Sequence, residues 1–344
     1  MEQLSLSGAE VGDIKALLSA VTSRYKSVED QDFLNQVSVI AHDLPRRVRR
    51  FLSDFKYLEP AGGACLIKGF PIDEERIGAT PRHWNEKREV SPTLPEEMLF
   101  VLFGSILGDV IAWMTQQDAY LIHDVLPIKC DEDSQISTGS QQPIWWHNED
   151  AFHPFRGDYV SLMCLRNPDG VPTTLASMDM LNLKPRQINT LFEPHFVLRP
   201  DESHAEKNGT PLRHGLGEAG DELLRQAYEH IQDMHRNPKK RPVLYGARQS
   251  PYVCIDPYFM NPPDNDEAQS ALNALIRAVD ACLCEVVLNP GDFIFVDNFR
   301  AVHGRRPFRA KYDGRDRWLK RMNVTRDLRK SRAARATCTS RVIF

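Results

Sequence analysis

Two histidines and a carboxylate stand where a single metal ion could reach all three. His147 and Glu149 are one residue apart in the stretch Trp145-Trp146-His147-Asn148-Glu149-Asp150, and His303 follows far downstream. In an extended strand, residues i and i+2 point to the same side, so His147 and Glu149 share a face. Two imidazoles and one carboxylate hold Fe(II) on one side and leave the opposite side open for substrate and O2. Residues 292–298 are apolar and run into a turn, as a strand delivering His303 would. Arg317 lies on a further strand-like segment, where a guanidinium could clamp a carboxylate with two parallel hydrogen bonds.

Context carries this reading more than the motif does. With 11 histidines and 26% charged residues, on the order of one or two His-x-Asp/Glu pairs arise by chance. The second such pair, His204/Glu206, lies in a polar stretch with no strand to orient it, so His204 and Asp201 also read as decorations of a solvated loop. His42, His83, His123 and His153 lack comparable partners and read as structural. Trp145 and Trp146 read as barrel-packing residues, one on each face of their strand, and Arg305 and Arg306 as structural or surface charges.

The surrounding elements must hold this set in place. Residues 8–27 and 30–56 repeat apolar positions at helical spacing. Residues 61–71 form a glycine-bounded apolar strand, and the proline-containing stretch 76–95 reads as a surface connection. Thr93 and Glu96 have capping-box spacing ahead of a helix over 98–114 that is apolar nearly all round and so packs on a sheet. Strand-length patterns follow at 118–127, 144–150, 159–165, 171–178, 251–256, 285–289, 292–297 and 317–325, with helices over 218–236 and 266–288. The polar stretch 200–220 reads as a lid insertion. The pattern predicts a mixed α and β fold over 1–344 as one domain. A mainly helical outer layer would occupy 1–115 and a double-stranded β-helix (jelly-roll) core 116–330.

A formal net charge of −4, with 42% hydrophobic residues, gives no general attraction for nucleic acid or for a membrane surface. The arginine-rich end, 315–335, is interleaved with acidic residues and Trp318, which favours a buried clamp over a basic patch. The seven cysteines lack the paired spacing of a secreted scaffold, and Cys282-Leu283-Cys284 reads as buried free thiols rather than a zinc or redox pair. The start Met1-Glu2-Gln3-Leu4-Ser5 lacks the basic-then-apolar order of a signal peptide, and 98–114 is too short and too polar to span a bilayer. The expectation is a cytoplasmic protein with a small-molecule partner; oligomeric state is not legible. Two other classes share some of these parts. A zinc hydrolase also uses two histidines and a carboxylate, but the helical His-Glu-x-x-His arrangement is missing and Arg317 would have no role. A barrel that only binds an amino acid gives no reason for an intact ligand set.

Longer stretches carry a resemblance. Ile40-Ala41-His42-Asp43-Leu44-Pro45, Thr115-Gln116-Gln117-Asp118, Trp146 to Phe152, Leu165-Arg166-Asn167-Pro168-Asp169-Gly170, Arg199-Pro200-Asp201-Glu202-Ser203-His204 and Ala301 to Arg321 together resemble the clavaminate-synthase-like branch of Fe(II)/2-oxoglutarate-dependent oxygenases. Within it the chain is similar to hydroxylases of free basic amino acids. The resemblance implies that His147, Glu149 and His303 ligate Fe(II), and that Arg317, helped by Thr174, holds the distal carboxylate of 2-oxoglutarate. Gln116 and Glu149 would receive the substrate α-amino group, Arg321 and Ser137 its carboxylate, and Asp201 would close over the site. O2 and 2-oxoglutarate would be consumed as a C–H bond is hydroxylated. Halogenating relatives leave the carboxylate position vacant; Glu149 fills it.

The substrate's far end would meet Asp256 and Tyr258, where arginine-hydroxylating relatives carry two aspartates. One carboxylate and one phenol suit a compact ammonium better than a guanidinium, so the expectation is L-lysine, oxidised at C3 or C4, with L-arginine or a related guanidino amino acid as the alternative. Asp256 also reads as a plain cap of the Asp-Pro turn, and Gln116 as an ordinary polar helix end.

Overall fold

The structure, a computed structural model, describes residues 1–204 and 217–344. The helix Gly8–Arg24 starts at Ser7, whose hydroxyl accepts from Glu10 N while the Glu10 carboxylate accepts from Ser7 N, a reciprocal cap that satisfies two orphan donors. The apolar periodicity over 30–56 resolves into two helices, Gln31–Ile40 and Arg46–Leu58. Pro45 forces the break, because the residue before a proline is pushed out of helical conformation; Leu44 has ψ 150°.

The helix expected over 98–114 is instead Leu94–Leu107, followed by the strand Asp109–Trp113. The two are separated by Gly108, where a Cβ would sit 2.1 Å from the Thr325 carbonyl oxygen. Thr93 does not cap the backbone as its spacing suggested; its hydroxyl donates to Glu97 Oε1 at 2.7 Å. Residues 1–115 are therefore more than an outer helical layer, because Glu2–Ser5, Ala64–Lys68 and Asp109–Trp113 are strands of the larger sheet.

That sheet has eight strands. It runs Glu2–Ser5, Ala64–Lys68, Phe293–Asp297, Tyr159–Arg166, Trp318–Thr325, Asp109–Trp113, Val342–Ile343, with His123–Val125 also paired to Trp318–Thr325. The smaller sheet has four, in the order Cys284–Val286, Thr173–Ser177, Ala301–Arg305, Ile144–His147. The sheets face each other across a shared core in which Leu162, Cys164, Ile294 and Leu319 meet Leu175 and Ala301. Helices cover both outer faces. Phe100 and Phe103 pack on Phe293 and Phe295, with the Phe103 and Phe293 rings edge-on at 5.1 Å, and each fully buried ring contributes roughly 1.5–3 kcal/mol. The helix Asp266–Cys282 closes the smaller sheet over Trp146, Ala176 and Val302.

All seven cysteines are free, but Cys130, Cys284 and Cys338 are exposed rather than buried, and Cys282 is half-buried. Among the described residues, no helix is long and apolar enough to cross a membrane.

Candidate active site

Two neighbouring strands of the smaller sheet bring the histidines together, with His303 directly opposite His147 in the ladder. Glu149 Oε2 lies 3.5 Å from His147 Nε2 and 3.4 Å from His303 Nε2. One ligand atom from each residue falls within 4.8 Å of the others. His147 Nδ1 is 2.8 Å from the Trp145 carbonyl oxygen, so the ring proton belongs on Nδ1 and the Nε2 lone pair faces the other donors. Three donors converging from one side, two nitrogen and one oxygen, fit Fe(II) bound on a single face.

Strand alternation does not deliver Glu149. The strand ends at His147, and Glu149 lies in the turn beyond it, followed by Asp150 at φ 50°. Two buried asparagines take over the positioning. Glu149 N donates to Asn298 Oδ1 at 2.8 Å, and Asn298 Nδ2 returns a bond to the Glu149 carbonyl at 2.9 Å. Asn148 Nδ2 donates to the carbonyls of Asn298 (3.0 Å) and Ala301 (2.9 Å), and its Oδ1 accepts from Ile255 N. Glu149 is thereby tied to the turn that feeds the His303 strand. Neither asparagine stood out in sequence, because an amide announces no metal or proton chemistry.

The other Glu149 oxygen is occupied by Arg321, whose Nη1 donates to Oε1. Arg321 Nη2 reaches His123 Nδ1 at 2.8 Å and Gln116 Oε1 at 3.3 Å. Accepting from a guanidinium requires a neutral imidazole. Burial first, and the Arg321 charge second, hold the His123 pKa well below its usual value. His123 is thus a partner of Arg321 rather than a bystander.

Arg317 and Arg305 are both buried among the residues around the metal set, and neither is ion-paired to a carboxylate among the described residues. Arg317 Nε has no acceptor. Burial pulls Arg317 down to about 10, and burial with the Arg317 charge pulls Arg305 down to about 9, so both remain cations near neutrality. Uncompensated buried charge costs several kcal/mol, and a dicarboxylate arriving beside the metal would remove that cost. Arg305, expected as a bland charge, donates to the carbonyls of Gly139 and Gln142 and so ties the loop carrying Ser137 to the His303 strand. Thr174 does not face the cavity. Arg305 pairs with Thr173 and His303 with Leu175, which puts Thr173 on the inner face and Thr174 on the other, against Gly304; Thr173 lines the cavity.

Ser137, Asp201, Asp256, Tyr258, Arg317 and Arg321 share one cavity with the metal set, about 890 Å³ counting its open mouth. Gln116 is behind it, buried, with Nε2 donating to Ser203 Oγ at 2.5 Å. Asp256 Oδ1 does cap the turn, accepting from Tyr258 N and Phe259 N, and burial also pushes its pKa up to about 6. His204 is not solvated: its Nε2 is 3.0 Å from Asp150 Oδ1 and its Nδ1 is 2.6 Å from Thr115 Oγ1. Of the expected lid over 200–220, Asp201 and Ser203 line the cavity, Gly217 onward belongs to the helix Gly217–Arg236, and 205–216, including Glu206, fall outside the described residues. Only one tryptophan packs as expected. Trp146 is buried and donates to Asp280 Oδ1 at 2.7 Å, whereas Trp145 is 37% exposed and lines the cavity.

Residues 61–323 match the family described as taurine catabolism dioxygenase TauD, TfdA family. The chain is 43% identical to an L-ornithine/L-arginine 3-hydroxylase of Catenulispora acidiphila, over 100% of both chains. It is 41% identical to an enduracididine beta-hydroxylase of Streptomyces hygroscopicus, again over 100% of both. A crystal structure of the non-heme iron oxygenase OrfP in complex with Fe, succinate and (3S)-hydroxy-L-Arg matches with a TM-score of 0.93 at 42% identity, covering 100% of each chain. Neither a zinc hydrolase nor a binding-only barrel accounts for such full-length similarity to iron oxygenases. The converging donors and the unpaired arginine beside them thus have the same explanation in sequence and in space: the chain belongs to the TauD/TfdA family, as an enzyme that uses Fe(II), 2-oxoglutarate and O2.

Proposed function

We propose that this enzyme hydroxylates a free guanidino L-amino acid, L-arginine foremost, at C3. The full-length similarity to an ornithine/arginine 3-hydroxylase carries the reading, supported by the enduracididine hydroxylase and by an OrfP complex holding (3S)-hydroxy-L-Arg. It displaces the expectation of lysine, which rested on Tyr258 acting as a second polar partner. Tyr258 is 49% exposed and its ring meets Phe259 edge-on at 4.9 Å, which favours its serving as aromatic surface on the cavity wall over its serving as a buried second polar partner. The two facing sheets are read as the halves of a double-stranded β-helix, with 1–344 as one domain.

Iron, 2-oxoglutarate and O2 supply the C–H oxidation; the protein's part is placement. His147, Glu149 and His303 would hold the metal, with Arg317 charged and unpaired for the distal carboxylate of 2-oxoglutarate. Arg321 and Ser137 face the substrate carboxylate and Glu149 its α-amino group, while Gln116 acts from behind by accepting from Arg321. Asp256 and Asp201 supply negative charge for the cationic far end. Holding both ends fixes the middle of the side chain over the metal, and a shift of about 1 Å is enough to redirect reaction from one carbon to the next.

An amino-acid panel with Fe(II), 2-oxoglutarate and ascorbate, read by mass spectrometry and then by NMR, tests the reading. L-arginine is expected to gain one oxygen at C3 with the highest kcat/KM of the panel. Faster turnover of L-lysine, or of no basic amino acid, would overturn it.

A further inference from the structure

The strand Ile144–His147 departs from regular pairing. It meets its neighbour at His303↔His147 and again at Arg305↔Ile144, with a register shift between. Three steps on one strand answer two on the other, which is a bulge, and bulges beside active sites re-aim side chains. Here Ile144, Trp145 and His147 all line the cavity, and Trp146 alone turns outward beneath the helix Asp266–Cys282.

Core packing does not explain Trp145. Its indole belongs to none of the buried clusters and stays 37% exposed next to a metal ligand. Tyr258 and Phe259 line the same cavity, as does Asp256, whose carboxylate meets no lysine or arginine among the described residues. The cavity therefore joins an unpaired negative charge to open aromatic faces.

We propose that Trp145 is the specificity-determining wall for the substrate's cationic end, its indole face stacking on a planar guanidinium whose N–H groups reach Asp256. The inference rests on the amino-acid hydroxylase reading above. A carboxylate attracts ammonium and guanidinium alike. An indole face distinguishes them, because a guanidinium is planar and weakly hydrated and stacks on aromatic rings, whereas an ammonium is compact and strongly hydrated. Asp256 supplies attraction and Trp145 supplies choice. The departure from two aspartates at this end of the cavity is then compatible with arginine, since a flat stacking surface takes over part of the recognition.

The test measures binding of L-arginine and L-ornithine by calorimetry to enzyme loaded with Fe(II) and 2-oxoglutarate without O2, and kcat and KM in its presence. Wild type is compared with Trp145→Leu, which keeps apolar bulk without a π face, and Trp145→Phe, which keeps a smaller one. Trp145→Leu is expected to weaken L-arginine binding by about 10-fold, with a matching rise in its KM, and L-ornithine by less than about 2-fold, with Trp145→Phe between. Loss of both amino acids by the same factor, or of neither, in variants that melt like wild type would overturn the inference while leaving the hydroxylase reading intact. Wild type that neither binds nor oxidises either amino acid would overturn both.

Discussion

Of the three proposed metal ligands, Glu149 depends most on its neighbours, because it sits past the end of its strand and owes its place to amide side chains. Asn298 makes two bonds to its backbone and a third, through Nδ2, to the Gly157 carbonyl at 2.9 Å. Partners of this kind typically govern metal affinity by 10- to 100-fold, while an abandoned buried N–H costs about 1–3 kcal/mol. Asn298→Ala is therefore expected to weaken Fe(II) binding by at least about 10-fold and to lower Tm by several degrees. Fe(II) titration of the folded variant at a temperature well below its Tm separates the two effects. Wild-type iron affinity in a folded Asn298→Ala protein would mean that Arg321 alone holds the carboxylate.

The smaller sheet sets the spacing between the two histidines, and Gly304 is where it has least room. A Cβ there would lie 2.6 Å from the Ile144 carbonyl oxygen, 2.9 Å from Thr174 Oγ1 and 3.0 Å from Trp146 N. Two of these are backbone atoms of the strand carrying His147, so they cannot swing aside. Gly304→Ala is expected to cost about 1–3 kcal/mol in urea unfolding of the metal-free protein and to weaken iron binding as the strands part; unchanged stability would show that the sheet shifts freely. The same strands mark what the sequence can and cannot disclose. Phe293–Asp297 was legible because a strand buried on both faces reads as an apolar run, whereas Trp318–Thr325 is as buried but carries Lys320, Arg321 and Asn323 along its length. Thr173 and Thr174 were not legible, because which of them looks inward is fixed by pairing with Arg305 and Gly304, not by anything local. Gly108, at the end of the helix before Asp109, likewise lies where the Thr325 backbone leaves no room for a Cβ, a contact that nothing local in the sequence displays. The Trp145 bulge is a property of register, which one strand's residues do not reveal.

At the scale of the whole molecule, the helical layer and the larger sheet are joined by buried ions on the face opposite the metal. Lys320, 2% exposed and one residue before Arg321, reaches Asp124 at 2.6 Å and Glu97 at 2.9 Å. Trp318 Nε1 donates to Asp124 at 2.7 Å and Thr93 to Glu97. A wider groove than the active-site cavity opens here, but its innermost charges are already paired and it contains no metal set among the described residues. Burial alone would raise both carboxylates. The Lys320 and Lys87 charges outweigh it and hold both below their ordinary values of 3.8 for Asp124 and 4.5 for Glu97. Groups depressed on folding contribute stability that is complete above those ordinary values and is lost as pH falls toward the depressed ones. Lys320→Met removes the larger of the two cationic contributions and leaves Glu97 buried without its ion pair, with only Lys87 still paired to Asp124, an expected loss of about 3–5 kcal/mol at pH 7.5. The sign of the pH dependence should then reverse at Glu97, whose ion pair among the described residues is with Lys320, because a carboxylate raised by burial destabilises the fold once it ionises. Urea unfolding at pH 5 and 7.5 reads this directly: the variant should lose markedly less at the lower pH, where protonation relieves it. An equal loss at both values would place the cost in side-chain packing and not in charge.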